Sequence, residues 1–326
     1  MSMKKRIASL MLAILTAAGL ILPALAAVPE ELPDEIPEDI VVESAEPEEI
    51  YSAILLDGEP APAVEYEIRG GVCYVTVSSF VSMLDAEAMV EEEDGVVSVN
   101  ASTVTQVVEV EADANVDPDA AAEEMGDIAN VLTADLTLTA AAGASYFVAN
   151  GRYLSVSGGI VWLNDRVAAP VRQLARVFNL AVDYDAETKQ VLLAHQEGAE
   201  PYLASGQDMY DSETVVWLAR IIHAESGNQS LEGKIAVGNV VMNRVNDPLF
   251  PNTLYDVLFQ KNQFSPASSG SIYKDPNWES QVAAMLVLDG AQVVPEALFF
   301  NGAGARSYAS KHRAYVTTIG NHDFYK

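Results

Sequence analysis

Two stretches of this chain repeat one another at a spacing of about 94 residues, so the fold must accommodate the same supersecondary unit twice. The first runs Ile54-Leu55-Leu56-Asp57-Gly58, then Cys73 to Leu84, then Val96-Val97-Ser98-Val99. The second runs Phe147-Val148-Ala149-Asn150-Gly151, then Arg166 to Phe178, then Gln190-Val191-Leu192-Leu193. Each reads as strand, turn, strand, helix, strand. Gly58 and Gly151 stand where a hairpin turn is needed, and the pairs Phe80/Leu84 and Leu174/Phe178 give i, i+4 core contacts on a short helix.

At 326 residues the chain is longer than one hydrophobic core commonly serves, so two or three domains are expected. Half of the residues are apolar and 20% are charged, a globular balance. The charge is unevenly spread: 18 Lys+Arg against 47 Asp+Glu give −29 overall, whereas residues 208–326 hold nine cations and twelve acids. So acidic a surface repels a phosphate backbone and argues against a nucleic-acid partner, while the C-terminal part is free to approach an anionic polymer. Cys73 is the sole cysteine, which excludes an intramolecular disulfide framework and any Cys-built zinc or iron–sulfur site.

Residues 1–27 open with Lys4, Lys5 and Arg6, continue through an apolar run and finish Ala24-Leu25-Ala26-Ala27, the pattern of a cleavable secretory signal. Residues 28–50 hold ten acids and four prolines, as expected of an extended acidic linker. The two β-rich units then occupy 51–196, a Gly/Pro/Ser-containing linker 197–211, and a different pattern 212–326. The second unit, with Asn150-Gly151-Arg152, Val167-Ala168-Ala169-Pro170-Val171-Arg172-Gln173-Leu174-Ala175 and Val182-Asp183-Tyr184-Asp185, resembles the stalk-type domain named after the N-terminus of copper amine oxidases. That resemblance implies attachment or spacing on a bacterial envelope. It implies no copper, since His195 and Cys73 are the only histidine and cysteine there.

In the C-terminal part, Ser212 is placed as a helix N-cap with Glu213 in the first turn, and Gly227 as the stop. Between them Val215, Leu218, Ile221, Ile222 and Glu225 fall at helical spacing, so Glu225 continues an apolar stripe and sits in the last turn. Burial and the negative end of the helix dipole both disfavour its charge and raise its pKa, as a general acid for a glycosidic oxygen requires. On pattern alone, an exposed carboxylate at a frayed helix end accounts for the same residues.

The run Ala219-Arg220-Ile221-Ile222-His223-Ala224-Glu225-Ser226-Gly227, then Glu232 to Val245, then Phe250-Pro251-Asn252-Thr253-Leu254, resembles the SleB-type spore-cortex-lytic cell-wall hydrolases. Gln263-Phe264-Ser265-Pro266, Ala297 to Asn301 and Ile319 to Tyr325 continue the match. The resemblance implies an α+β fold overall: a lysozyme-like mixed catalytic domain preceded by the β-rich stalk-type domain. It implies Glu225 as the catalytic acid, with Ser226, Gln263, Phe264, Asn301, Tyr308 and His322 toward substrate. It also implies peptidoglycan glycan strands as partner, no cofactor or metal, and a secreted location at the cell wall or spore envelope.

A retaining or inverting hydrolase needs a second carboxylate, for which Glu232 and Asp256 are the candidates, whereas a lytic transglycosylase needs one acid/base only. Two competing readings use the same residues. One is a non-catalytic peptidoglycan-binding protein that keeps the shape. The other is a zinc amidase acting on the stem peptide through His223, His312, His322 and Glu225. Asn239 and Asn243, on a helix from Ser230 to about Asn246 that is apolar on nearly every side, read as satisfied core amides.

Overall fold

The computed structural model describes residues 52–108 and 130–326. The signal and the acidic linker assigned to residues 1–50 lie outside the described residues. Among the described residues, no helix is long and apolar enough to cross a membrane.

The repeat is real in three dimensions and richer in strands than its sequence pattern. The first copy comprises β1 (Ile54–Leu56), β2 (Glu59–Pro60), β3 (Tyr66–Arg69), β4 (Val72–Thr76), helix α1 (Val77–Leu84), β5 (Met89–Glu93) and β6 (Val96–Val108). After β7 (Asn130–Ala141) the second copy follows: β8 (Tyr146–Ala149), β9 (Arg152–Ser155), β10 (Val161–Leu163), β11 (Arg166–Pro170), α2 (Val171–Val177), β12 (Ala181–Asp185) and β13 (Gln190–Ala194). The extra strands are short or half-exposed, so they carry little of the alternation that marks a strand in sequence.

The copies interlock about a pseudo-two-fold. β4 and β11 pair antiparallel with Val75 opposite Ala169, which are equivalent positions of the repeat. The closing hairpin of the second copy joins the opening hairpin of the first in the order β12-β13-β1-β2. The closing hairpin of the first copy reaches the opening hairpin of the second through β7, in the order β5-β6-β7-β8-β9. One buried core fills the space between, with Phe80, Phe147, Leu154 and Leu174 at its centre and Phe80 edge-on to Phe178 at 5.9 Å. Tyr202 and Leu203 of segment 197–211 belong to that same core.

The C-terminal region is built on α4 (Ser212–Ser226), α5 (Leu231–Asn246) and α8 (Trp278–Leu288), with α3 (Gly206–Met209) ahead of them. Between α5 and α8 lie α6 (Leu254–Phe259), α7 (Ser265–Ser269) and a 3-10 turn (Ser271–Tyr273). The cap of α4 is Asp211 rather than Ser212: its carboxylate accepts from the Thr214 amide at 2.8 Å and from the Thr214 hydroxyl at 2.7 Å. A charged acceptor at that position outcompetes the adjacent serine hydroxyl. Ser230 caps α5, and Asn277, which the sequence pattern places as the cap of a helix to Asp289, caps α8. At Gly238 the three long helices meet so closely that an added Cβ would lie 2.9 Å from Val287 and 3.0 Å from Ile222.

A three-stranded antiparallel sheet, β14 (Phe299–Gly302), β15 (Tyr315–Ile319) and β16 (His322–Tyr325), packs against this bundle, with the short α9 (Tyr308–His312) before β15. The pattern predicts strands at 296–300 and 315–319; the first is displaced toward the C-terminus, and β16, not predicted as a strand, is the central one. Asn239 and Asn243 are core amides. Asn239 donates to Ala291 O at 2.7 Å and accepts from the Val293 amide at 2.8 Å, while Asn243 donates to Ala297 O at 2.9 Å.

The β-rich and helical regions pack directly on one another. Tyr153 of β9 lies edge-on to Trp278 of α8 at 6.3 Å. Below that contact Asp289, at the end of α8, is enclosed by Arg152 (Nε to Oδ1, 3.1 Å), Arg176 (Nη2 to Oδ1, 3.1 Å) and the donating hydroxyl of Tyr210.

Candidate active site

Helix α4 ends at Gly227, as its sequence position predicts. A side chain at Gly227 would approach the carbonyl oxygen of His223 to 2.5 Å, and the Gly227 amide itself donates to that oxygen. Leu218, Ile221 and Ile222 are fully buried, which fixes the rotation of the helix and leaves Glu225 half-buried in its last turn. Glu225 opens onto a cleft of about 480 Å³ lined also by Arg244 of α5, Asn262 to Ser265, Ser268 of α7, Phe300 to Gly302 of β14, and His322 of β16.

Glu225 is the only acidic residue of that lining among the described residues. Burial pushes its carboxyl above the ordinary carboxylate value, and the positive charge of Arg244 opposes the rise. Glu232 lies in the first turn of α5 and Asp256 in the first turn of α6, where its carboxylate takes a hydrogen bond from Thr253; neither lines the cleft.

Arg244 has the most enclosed cationic head in the cleft. Its Nε donates to Leu298 O at 2.7 Å and its Nη1 to Gln263 Oε1 at 3.2 Å. The guanidinium also lies 4.9 Å from the Phe264 ring centre, 5.1 Å from Phe250 and 5.3 Å from Phe299. That enclosure lowers its pKa to about 10, against the pull of Glu225. It thereby anchors Gln263 at the rim and supplies fixed positive potential beside the acid. Four of the candidate substrate residues, Gln263, Phe264, Asn301 and His322, are gathered around Glu225. Phe264 is 4% exposed and both packs in the core and walls the cleft. His322 lies edge-on to Phe300 at 5.1 Å; burial pushes its imidazole below the usual range, and its Nδ1 has no hydrogen-bond partner.

Two candidates lie elsewhere. Ser226 is fully buried and its hydroxyl donates to Ile222 O at 2.8 Å, inside its own helix and off the cleft lining. Tyr308 is 65% exposed on α9, stacked on His312 at 4.7 Å. Arg244, Asn262 and Ser268 are cleft residues not singled out from the sequence. Arg244 alone left a signal: it sits four positions after Val240 on a helix whose other faces are apolar, so it had to be buried and partnered. The histidines of the amidase reading are separated: His223 Nδ1 accepts from the Asn277 amide, His312 stacks on Tyr308, and His322 lines the cleft. Among the described residues, no group of three or more His, Cys, Asp or Glu is arranged to hold a metal.

The cleft thus places a half-buried carboxyl, its pKa raised by burial, beside a fixed cation. A cell wall hydrolase family model matches residues 228–325, beginning three residues after Glu225. The C-terminal region is thus a SleB-type cell wall hydrolase domain. Its relatives include the spore cortex-lytic enzymes of Bacillus subtilis, 32% identical over 116 residues, and of Oceanobacillus iheyensis, 30% over 118. These matches cover 35% and 36% of this chain but only 38% and 43% of those enzymes. Among solved structures, the catalytic domain of the germination-specific lytic transglycosylase SleB from Bacillus anthracis is 29% identical, covering 38% of this chain and all of that one at a TM-score of 0.35.

Proposed function

We propose that this protein cleaves the glycan strands of peptidoglycan at the MurNAc–GlcNAc bond as a lytic transglycosylase, in wall remodelling or spore-cortex lysis, with Glu225 as its single acid/base and a lysozyme-like catalytic domain. The observation that carries this is an acid, its pKa raised by burial, in a polar cleft with no second carboxylate among the described residues. Protonated Glu225 gives its proton to the bridging oxygen as the bond to muramic C1 breaks. The resulting carboxylate then takes the proton of the muramic 6-hydroxyl as that oxygen closes on C1. The product carries a 1,6-anhydro end, and no water is consumed. The middle region, by its resemblance to stalk-type domains, would hold the enzyme at the envelope.

Digestion of purified peptidoglycan by the parent and by Glu225→Gln, with mass analysis of the fragments, tests this. Muropeptides lighter by one water than the hydrolytic product, absent with the variant, are expected; reducing ends would replace transglycosylation by hydrolysis. A Glu225→Gln variant that solubilises walls at the parental rate would remove the enzymatic assignment.

A further inference from the structure

Away from the cleft, α4 carries a second concentration of rings. Trp217 meets Tyr255 edge-to-face at 5.8 Å, Phe259 at 5.5 Å and Tyr273 at 5.9 Å, while Tyr255 and Phe259 stack at 4.4 Å. Trp217 and Phe259 pack against the helical core, but Tyr255 is 51% and Tyr273 57% exposed, so the group extends beyond the core edge. The indole nitrogen of Trp217 donates to Glu213, which holds the ring in place. The guanidinium of Arg220 lies 5.3 Å from the Trp217 ring centre, and its Nε has no hydrogen-bond partner. Arg220 forms no ion pair among the described residues, nor do Lys261 and Lys274, which follow the cluster in sequence. Arg220 lies against the Trp217 ring, and Lys261 and Lys274 stand two and one positions after Phe259 and Tyr273, so the cluster carries cationic groups in a region of nine cations against twelve acids.

We propose that this cluster is a second saccharide-binding site, which holds a peptidoglycan strand outside the cleft that contains Glu225. The inference rests on the substrate class proposed above. A pyranose ring offers a face of C–H bonds that packs on an aromatic face and a rim of hydroxyls that stays wet, and Tyr255 and Tyr273 present such half-exposed faces. The stem-peptide carboxylates of the same polymer complement Arg220, Lys261 and Lys274. The site is continuous with the cleft: α7, which contributes Ser265 and Ser268 to the cleft, packs on α4 and on the 3-10 turn that carries Tyr273. Trp217 precedes Glu225 by eight residues, about 12 Å along the helix, so only a substrate of several sugars reaches both.

The test uses the full chain. With Glu225→Gln protein, sedimentation with insoluble peptidoglycan should weaken about tenfold in Kd on adding Tyr255→Ala and Tyr273→Ala. On the parental background, the same pair should slow release of fragments from insoluble walls but leave cleavage of a soluble tetrasaccharide unchanged. Arg220→Gln should weaken binding to peptidoglycan that bears stem peptides but not to chitin, which lacks carboxylates. Unchanged sedimentation overturns the proposal, as does an equal loss on the tetrasaccharide, which would make the rings a support of the cleft. Because binding is read on Glu225→Gln protein, failure of the cleavage chemistry would leave this readout intact and distinguishable.

Discussion

Glu225 has a raised pKa in the folded protein, so between the ordinary carboxylate range and that higher value the folded state binds more protons than the unfolded chain. Stability therefore falls as pH rises through this window and stays lower above it. Glu225→Gln removes the deficit: calorimetry should show the variant melting above the parent near pH 7, with the difference shrinking as the pH falls to the ordinary carboxylate range. The pH profile of wall cleavage should decline on its alkaline side as Glu225 loses its proton. Arg244 opposes the rise in the Glu225 pKa, so Arg244→Gln should move that decline to higher pH, with lower turnover because Gln263 loses its anchor. The half-burial of Glu225 was legible because Leu218, Ile221 and Ile222 set a helical stripe that it continues. The burial of Ser226 was not, since a hydroxyl bonding back within its own helix leaves no periodic trace. Nor was the aromatic enclosure of Arg244, whose rings at Phe250, Phe264 and Phe299 are brought together only by the tertiary fold.

Among the elements, the long helices and their Ser230 and Asn277 caps were readable because capping is local chemistry. The central position of β16 was not readable, because a four-residue strand is defined by the neighbours that pair with it. The joint between α8 and the β-rich region was equally silent: Arg152 and Asp289 stand 137 positions apart, with Arg176 and Tyr210 between them, and the four meet only on folding. Its energetics follow from burial. The Asp289 and Arg152 side chains are 1% and 8% exposed, so Asp289→Ala leaves Arg152 charged, desolvated and without its carboxylate. Urea titration should show a loss of about 3–5 kcal/mol. A loss below about 1 kcal/mol would mean that water reaches the joint and that the two regions are only loosely apposed.

Across the whole molecule, the acidity lies upstream of residue 208, and the C-terminal region carries nearly balanced charge. The repeat was visible in sequence, but the interlocking of its copies was not, because both hairpin exchanges satisfy the same local pattern as two separate units would. That exchange has a mechanical outcome. β1 and β13 run parallel, with Ile54 beside Val191 and Leu56 beside Leu193, so the entry to β1 and the exit from β13 lie at opposite ends of one ladder. Tension applied between the start of β1 and the end of β13 loads these hydrogen bonds in shear, all together, whereas a hairpin pulled from its open end unzips them singly. Single-molecule extension between those two points should meet a higher rupture force than extension across the β15–β16 hairpin.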